Sequence, residues 1–226
     1  MSESALMDPA SPQKLAAEFV GSMLLLATVA GSGIMGERLA GGNPALALLA
    51  NSIATGCALY ALITMFAPLS GAHFNPAVTM VEFIAGRMLR HTALLYLVAQ
   101  IAGTLAGVVI THFMFELPLI FPSQHPRSGG AQWFSEFVAA FGLLTVILHG
   151  ARAAPDRVAA MVACYITAAY WFTASTSFAN PAMTIARSLT DTFVGIRAVD
   201  APMFILMQLL GALVALVLFK WMTRQQ

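Results

Sequence analysis

The sequence predicts an all-α membrane protein, with six transmembrane helices and two re-entrant half-helices arranged as an inverted three-plus-three repeat. Three observations carry that expectation. The 226 residues are 59% hydrophobic and 9% charged, with mean hydropathy +0.80, whereas a soluble domain carries roughly 25% charged residues. Apolar runs near the ~20 residues that span a bilayer recur six times. Asn-Pro-Ala occurs twice, as Asn75-Pro76-Ala77 and Asn180-Pro181-Ala182, each heading an apolar stretch too short to cross alone.

In chain order, residues 1–14 form a polar N-terminal segment with Glu3 and Asp8 and no basic n-region, so the first span is read as its own insertion signal. Spans are drawn at 15–34, 44–66, 93–115, 133–151, 158–178 and 201–221. Segments 75–86 and 180–190 are read as half-helices, because Asn is a favoured N-cap and Pro a favoured first helical residue. A helix N-terminus leaves free N–H groups and about half a positive charge, which a bilayer tolerates only where the end is buried in protein or lines a cavity. Broken helices of this kind point to a transport site. Six spans put both termini on one face. Lys14, Arg87, Arg90, Arg152, Arg157, Lys220 and Arg224 share that face against Arg38, Arg127 and Arg197 opposite, which places the termini in the cytoplasm.

The halves match beyond the motif. Glu18-Phe19-Val20 returns as Glu136-Phe137-Val138, and Gln100-Ile101-Ala102-Gly103 as Gln208-Leu209-Leu210-Gly211. Residues 15–116 and 131–226 are therefore related units joined by the Pro-bearing linker 117–130. Three spans per unit is an odd number, so the second unit inserts upside down. The two half-helices then enter from opposite faces and their N-termini meet near the midplane, making a pore with a positive centre. Gly103 with Gly107, and Gly211 with Ala215, allow tight helix packing, either within the bundle or between protomers. Cys57 and Cys164 fall inside spans and are read as small buried hydrophobes.

The run Ser70-Gly71-Ala72-His73-Phe74-Asn75-Pro76-Ala77-Val78-Thr79, with Asn180-Pro181-Ala182 and a Glu in spans one and four, resembles the aquaporin (major intrinsic protein) superfamily over about residues 15–221. The resemblance implies a single channel domain over 15–226, a homotetramer in the lipid bilayer and one pore per protomer. It also implies that Asn75 and Asn180 donate to solutes in single file while the half-helix dipoles oppose cations. Glu18 and Glu136 are costly within spans, so partners are expected; the resemblance suggests that each accepts hydrogen bonds from its re-entrant loop. His73 is expected at the cytoplasmic vestibule, as lining or as a gate.

Four filter positions can be counted from the motifs. Twenty residues before Asn75 stands Thr55; twelve before Asn180 stands Ala168; three before and three after Asn180 stand Ser177 and Met183. Many water channels of the family carry Phe at the first position and His at the second, and the family nearly always carries Arg at the last. The filter expected here is wider and uncharged, suiting small neutral solutes such as glycerol, urea, boric acid and arsenous acid. Residues 180–193 resemble the bacterial aquaglyceroporins associated with arsenic resistance, which implies a bacterial inner membrane. Arg187, one turn beyond Met183, either replaces the missing arginine at the outer mouth or pairs with Asp191 at i,i+4. Glu82 holds the place in the first half that Arg187 holds in the second.

A passive channel is the leading reading. A water-selective or poorly conducting member and an alternating-access transporter are the alternatives, the last disfavoured because the chain offers few intramembrane acids beyond the two Glu residues assigned to scaffolding. No nucleophile–base constellation, metal-ligand spacing or basic tract supports an enzyme, a metal, a cofactor or nucleic-acid binding.

Overall fold

The computed structural model describes residues 10–224; the extreme N-terminus, where most of the polar segment 1–14 falls, lies outside the described residues. Among the described residues eight α-helices follow one another: α1 (Pro12–Leu39), α2 (Pro44–Ser70), α3 (Pro76–Ile84), α4 (Arg90–Met114), α5 (Gly130–Ala153), α6 (Val158–Phe172), α7 (Pro181–Arg187) and α8 (Ala201–Met222), with a 3-10 turn at Pro155–Arg157. Four of them start the same way. Ser11, Asn43, Asn75 and Asn180 cap α1, α2, α3 and α7, each followed at once by Pro, and each side-chain oxygen accepts a backbone N–H of the first turn. The cap satisfies donors that no helix can satisfy internally, and Pro has no N–H to lose there.

Among the described residues five helices are long and apolar enough to cross a membrane: α1, α2, α4, α5 and α8. The fifth crossing differs from expectation. The apolar run 158–178 continues to Phe178, but α6 stops at Phe172 after 15 residues, about 22 Å at 1.5 Å per residue. Thr173 leaves the helix in extended conformation, and Thr176, Ser177 and Ala179 take φ of 62°, 51° and 47°. Hydropathy does not register this break, because the segment stays buried as it leads into the second half-helix. The half-helices are shorter than drawn, 9 and 7 residues against 75–86 and 180–190.

The packing repeats itself. Helix α1 lies against α4 and α2, α5 lies correspondingly against α8 and α6, and α2 meets α6 across the halves. Each half-helix rests on the last span of both repeats, α3 on α4 and α8, α7 on α8 and α4, and α3 and α7 touch each other. The small-residue pairs make the internal crossings. A side chain at Gly103 would strike the Phe19 carbonyl and one at Gly211 the Phe137 carbonyl, while Gly107 faces the Met23 carbonyl and Ala215 is fully buried. These four positions therefore serve the bundle rather than a protomer interface.

Cys57 and Cys164 are free thiols on the exposed outer surface, not buried as expected. In a membrane helix the apolar residue is as much at home facing lipid as facing the core, so hydropathy alone does not decide the side.

Gly211→Val should destabilise the detergent-solubilised protein by the ~1–3 kcal/mol typical of overpacking, read as a lower apparent Tm, with Val214→Leu on the exposed face as a neutral control. Equal melting of the two variants would contradict the close α5–α8 crossing.

Candidate functional site

The site begins with two buried carboxylates. Glu18 on α1 accepts the backbone N–H groups of His73 and Phe74 at 2.9 and 2.8 Å, the Ser70 hydroxyl at 2.7 Å and the Gln100 amide at 2.7 Å. Glu136 on α5 accepts the N–H groups of Phe178 and Ala179, both at 2.9 Å, and the Gln208 amide. Each Glu thus takes the two N–H groups just before an Asn. The Gln amides donate onward to Thr79 and Thr184, both at 2.9 Å. Both carboxylates are fully buried, and saturation by donors is what makes a buried carboxylate tolerable.

Holding those N–H groups aside twists the loops. Ala72 and Phe74 before Asn75, and Ser177 and Ala179 before Asn180, all take left-handed φ near 50°, a conformation costing roughly 1–2 kcal/mol for a residue with a Cβ. The four lie at matching offsets, three and one before each Asn.

The asparagines then lock the halves together. Asn75 Nδ2 donates to the Ala179 carbonyl and Asn180 Nδ2 to the Phe74 carbonyl, both at 2.8 Å. Their Oδ1 atoms are occupied by Ala77 N–H in one half and by Ala182 and Met183 N–H in the other. Pro76, Ala77, Pro181 and Ala182 are buried in the first turns. Each amide group keeps one N–H free of the scaffold, and both asparagines line a continuous cavity of about 260 Å³.

At one end of the cavity stands Glu82, bound by Arg87 through two short bonds of 2.7 and 2.6 Å. His73 lines the wall near Asn75, its Nδ1 3.0 Å from Thr79 Oγ1. At the other end stand Thr55, Ser177, Met183 and Arg187. Thr55 Oγ1 lies 3.2 Å from Tyr170 Oη, and Ser177 Oγ is buried without a partner among the described residues.

Ala168 is not there. It is exposed on the outer side of α6, and the cavity is lined instead by Ile166 and Tyr170. The wall residue is ten rather than twelve before Asn180, and two residues along a helix rotate a side chain by about 200°. The pairing of Ile166 with Tyr170 at i,i+4 is the signal that marks the inward face.

Arg187 resolves toward the cavity. It is 3% exposed, its guanidinium lies 3.2 Å from the centroid of the Phe178 ring, and Nε donates to the Val194 carbonyl. The alternative pairing with Asp191 does not form. Asp191 accepts Gln124 N–H at 2.8 Å and faces His125 at 3.7 Å. Thr55, Ser177 and Met183 line this end of the cavity with uncharged side chains, and one turn beyond Met183 the wall carries a cation.

Arg127, read from sequence only as a topology marker, clamps the loops beside the site. It donates to Gly195 O at 2.7 Å and Ser175 O at 3.1 Å, and its own N–H reaches Asp200 at 2.9 Å. Burial works against the charge of Asp200, but Arg197 and the Arg127 N–H outweigh it and hold the carboxyl below its ordinary value.

A bundle whose two half-helices meet tip to tip through reciprocal asparagine bonds, flanked by one continuous cavity, defines a pore-forming integral membrane protein. Comparison with known proteins gives the family. The description of the major intrinsic protein family matches residues 6–161, and the chain belongs to that family. It is 53% identical over 210 residues to "Aquaglyceroporin AqpS" of Rhizobium meliloti (strain 1021), covering 93% of this chain and 90% of that one. It is 32% identical over 114 residues to "Aquaporin TIP1-1" of Zea mays, where the match covers 50% of this chain and 46% of the relative. The fold is that of the aquaglyceroporin from Plasmodium falciparum, with TM-score 0.71 and 18% identity over 92% of this chain and 94% of the other. The protein is accordingly a passive channel for small solutes and not an enzyme.

Two expected outcomes test this scaffold. Gln208→Leu removes a donor from buried Glu136 and should destabilise the protein by ~1–3 kcal/mol, as should Gln100→Leu at Glu18, read as loss of Tm in detergent. The depressed Asp200 value means that its stabilising contribution is present above the unfolded value of about 3.9 and lost as pH falls through the lower folded value. The Tm gap between native protein and Asp200→Asn should close below about pH 4; a gap unchanged into stronger acid would contradict it.

Proposed function

We propose that this channel conducts small neutral polyhydroxy solutes, glycerol and arsenous acid among them, through a filter made by Thr55, Tyr170, Ser177 and Met183. The observation that carries the reading is the one-sided chemistry of this ring. The Thr55–Tyr170 hydroxyl pair and the unpartnered Ser177 hydroxyl supply hydrogen bonds, while the thioether of Met183 stands where most members of the family put a guanidinium. A solute with several hydroxyls exchanges water for these groups as it passes, and its carbon or arsenic face slides on the apolar side. The resemblance to a protein named as an aquaglyceroporin supports the same class of cargo.

The asparagine centre carries part of the exclusion of cations in this reading, by two half-helix N-termini and two amide donors facing one passage. The working unit is a homotetramer in a bacterial inner membrane with both termini cytoplasmic, so the Arg187 end of the cavity opens outward.

Stopped-flow light scattering on proteoliposomes, with arsenite uptake in parallel, tests the filter. Native protein should pass glycerol and arsenite, and Met183→Arg should lose both by at least about tenfold, a barrier increase near 1.4 kcal/mol. If both proteins conduct water alone, the ring is not the selective element and the channel is water-selective.

A further inference from the structure

Among the described residues, Arg187 is a charged side chain on the cavity wall that no ion pair neutralises. The ion pairs of the described residues are Arg87–Glu82, His125–Asp191 and Arg197–Asp200, and none involves it. The oxygens of Glu136 are taken up by Phe178, Ala179 and Gln208. A cation this deeply buried is costly without a partner, yet among the described residues the Arg187 side chain is bound only by the Val194 carbonyl through Nε and by the face of Phe178. Arg187 lines the cavity, as does Ser177, whose hydroxyl lacks a partner among the described residues.

From this we infer that Arg187 is a specificity-determining residue of the pore and its outer electrostatic barrier to cations, acting about 6 Å beyond Met183 along α7. The inference rests on the filter reading above and adds to it what the outer station recognises: uncharged solutes that present acceptor oxygens to a planar donor fork. Stacking on Phe178 draws the guanidinium flat against the wall. The charge is thereby kept while the opening is not closed. Size selection at the hydroxyl ring and charge selection at Arg187 become separate stations, where an arginine at position 183 would combine them.

The test compares native protein, Arg187→Gln, Arg187→Lys and Met183→Arg/Arg187→Gln in proteoliposomes, measuring glycerol, water and potassium flux. Arg187→Gln should still pass glycerol while its potassium flux rises at least about tenfold, a barrier loss near 1.4 kcal/mol. Arg187→Lys should stay tight to potassium, since the charge remains, but shift the glycerol-to-water ratio because the fork is gone. The double variant should recover potassium exclusion and lose glycerol. An Arg187→Gln channel that passes glycerol and remains tight to potassium overturns the inference. Where that variant does not assemble, an Arg187→Lys channel with the native glycerol-to-water ratio overturns it. A native channel that passes no glycerol would instead overturn the filter reading, so the two fail separately.

Discussion

Glu18 and Glu136 bind the backbone of the two re-entrant loops from fully buried positions, and the geometry of the pore centre is transmitted through those bonds. Without donors, a carboxylate at this depth would cost several kcal/mol or take up a proton. The loops therefore hold the N–H groups two and one before each Asn toward the carboxylate, and accept left-handed backbone at Ala72, Phe74, Ser177 and Ala179 to do so. Once the N–H groups face the scaffold, the carbonyls of Phe74 and Ala179 are left for the asparagine of the other half. Each half thus completes the other, and neither half-helix tip is satisfied alone.

The duplication is close to symmetric in scaffold and broken at the ends of the cavity. Glu, Gln, Thr and Asn recur at matching places with matching bonds. Two before the Asn, however, stand His73 in one half and Phe178 in the other, and seven after it stand Glu82 and Arg187. Glu82 is neutralised by Arg87, whereas Arg187 rests on the Phe178 ring that replaces the imidazole. The asparagines and the groups that hold the loops are therefore shared between the repeats, and the side chains at the two ends of the cavity are not. The scaffold must satisfy the same backbone twice, while the two mouths face different solutions.

Much of the scaffold was legible because its signals are local. Asn-Pro at a helix start declares a cap without reference to anything distant, and an acid inside an apolar run declares a need for donors. Asn75, Asn180, Glu18 and Glu136 were therefore found from residue chemistry and repetition. Gln100 and Gln208 were visible as a repeat, but that each amide bridges a carboxylate and a threonine was not, since each Gln and its two partners lie on three different helices. Ala168 was misplaced because an offset counted along the chain assumes a loop of given shape. The shape depends on the backbone at 173–179, and two residues of difference turn the helix to its opposite face.

By itself the sequence determined that the chain lives in a bilayer, that it is two inverted copies of one unit, and that two helices begin inside the apolar layer. These follow from hydropathy, internal similarity and the conformational preferences of Asn and Pro, each acting over a few residues or one helix. Only the tertiary structure decided which face of α6 meets the cavity, that the cysteines and small residues lie outside and inside the bundle respectively, and that Arg187 turns to Phe178 and not to Asp191. In an apolar solvent both faces of a helix are hydrophobic, and a long cationic side chain reaches several partners. Those choices are made by packing, which no single stretch of chain contains.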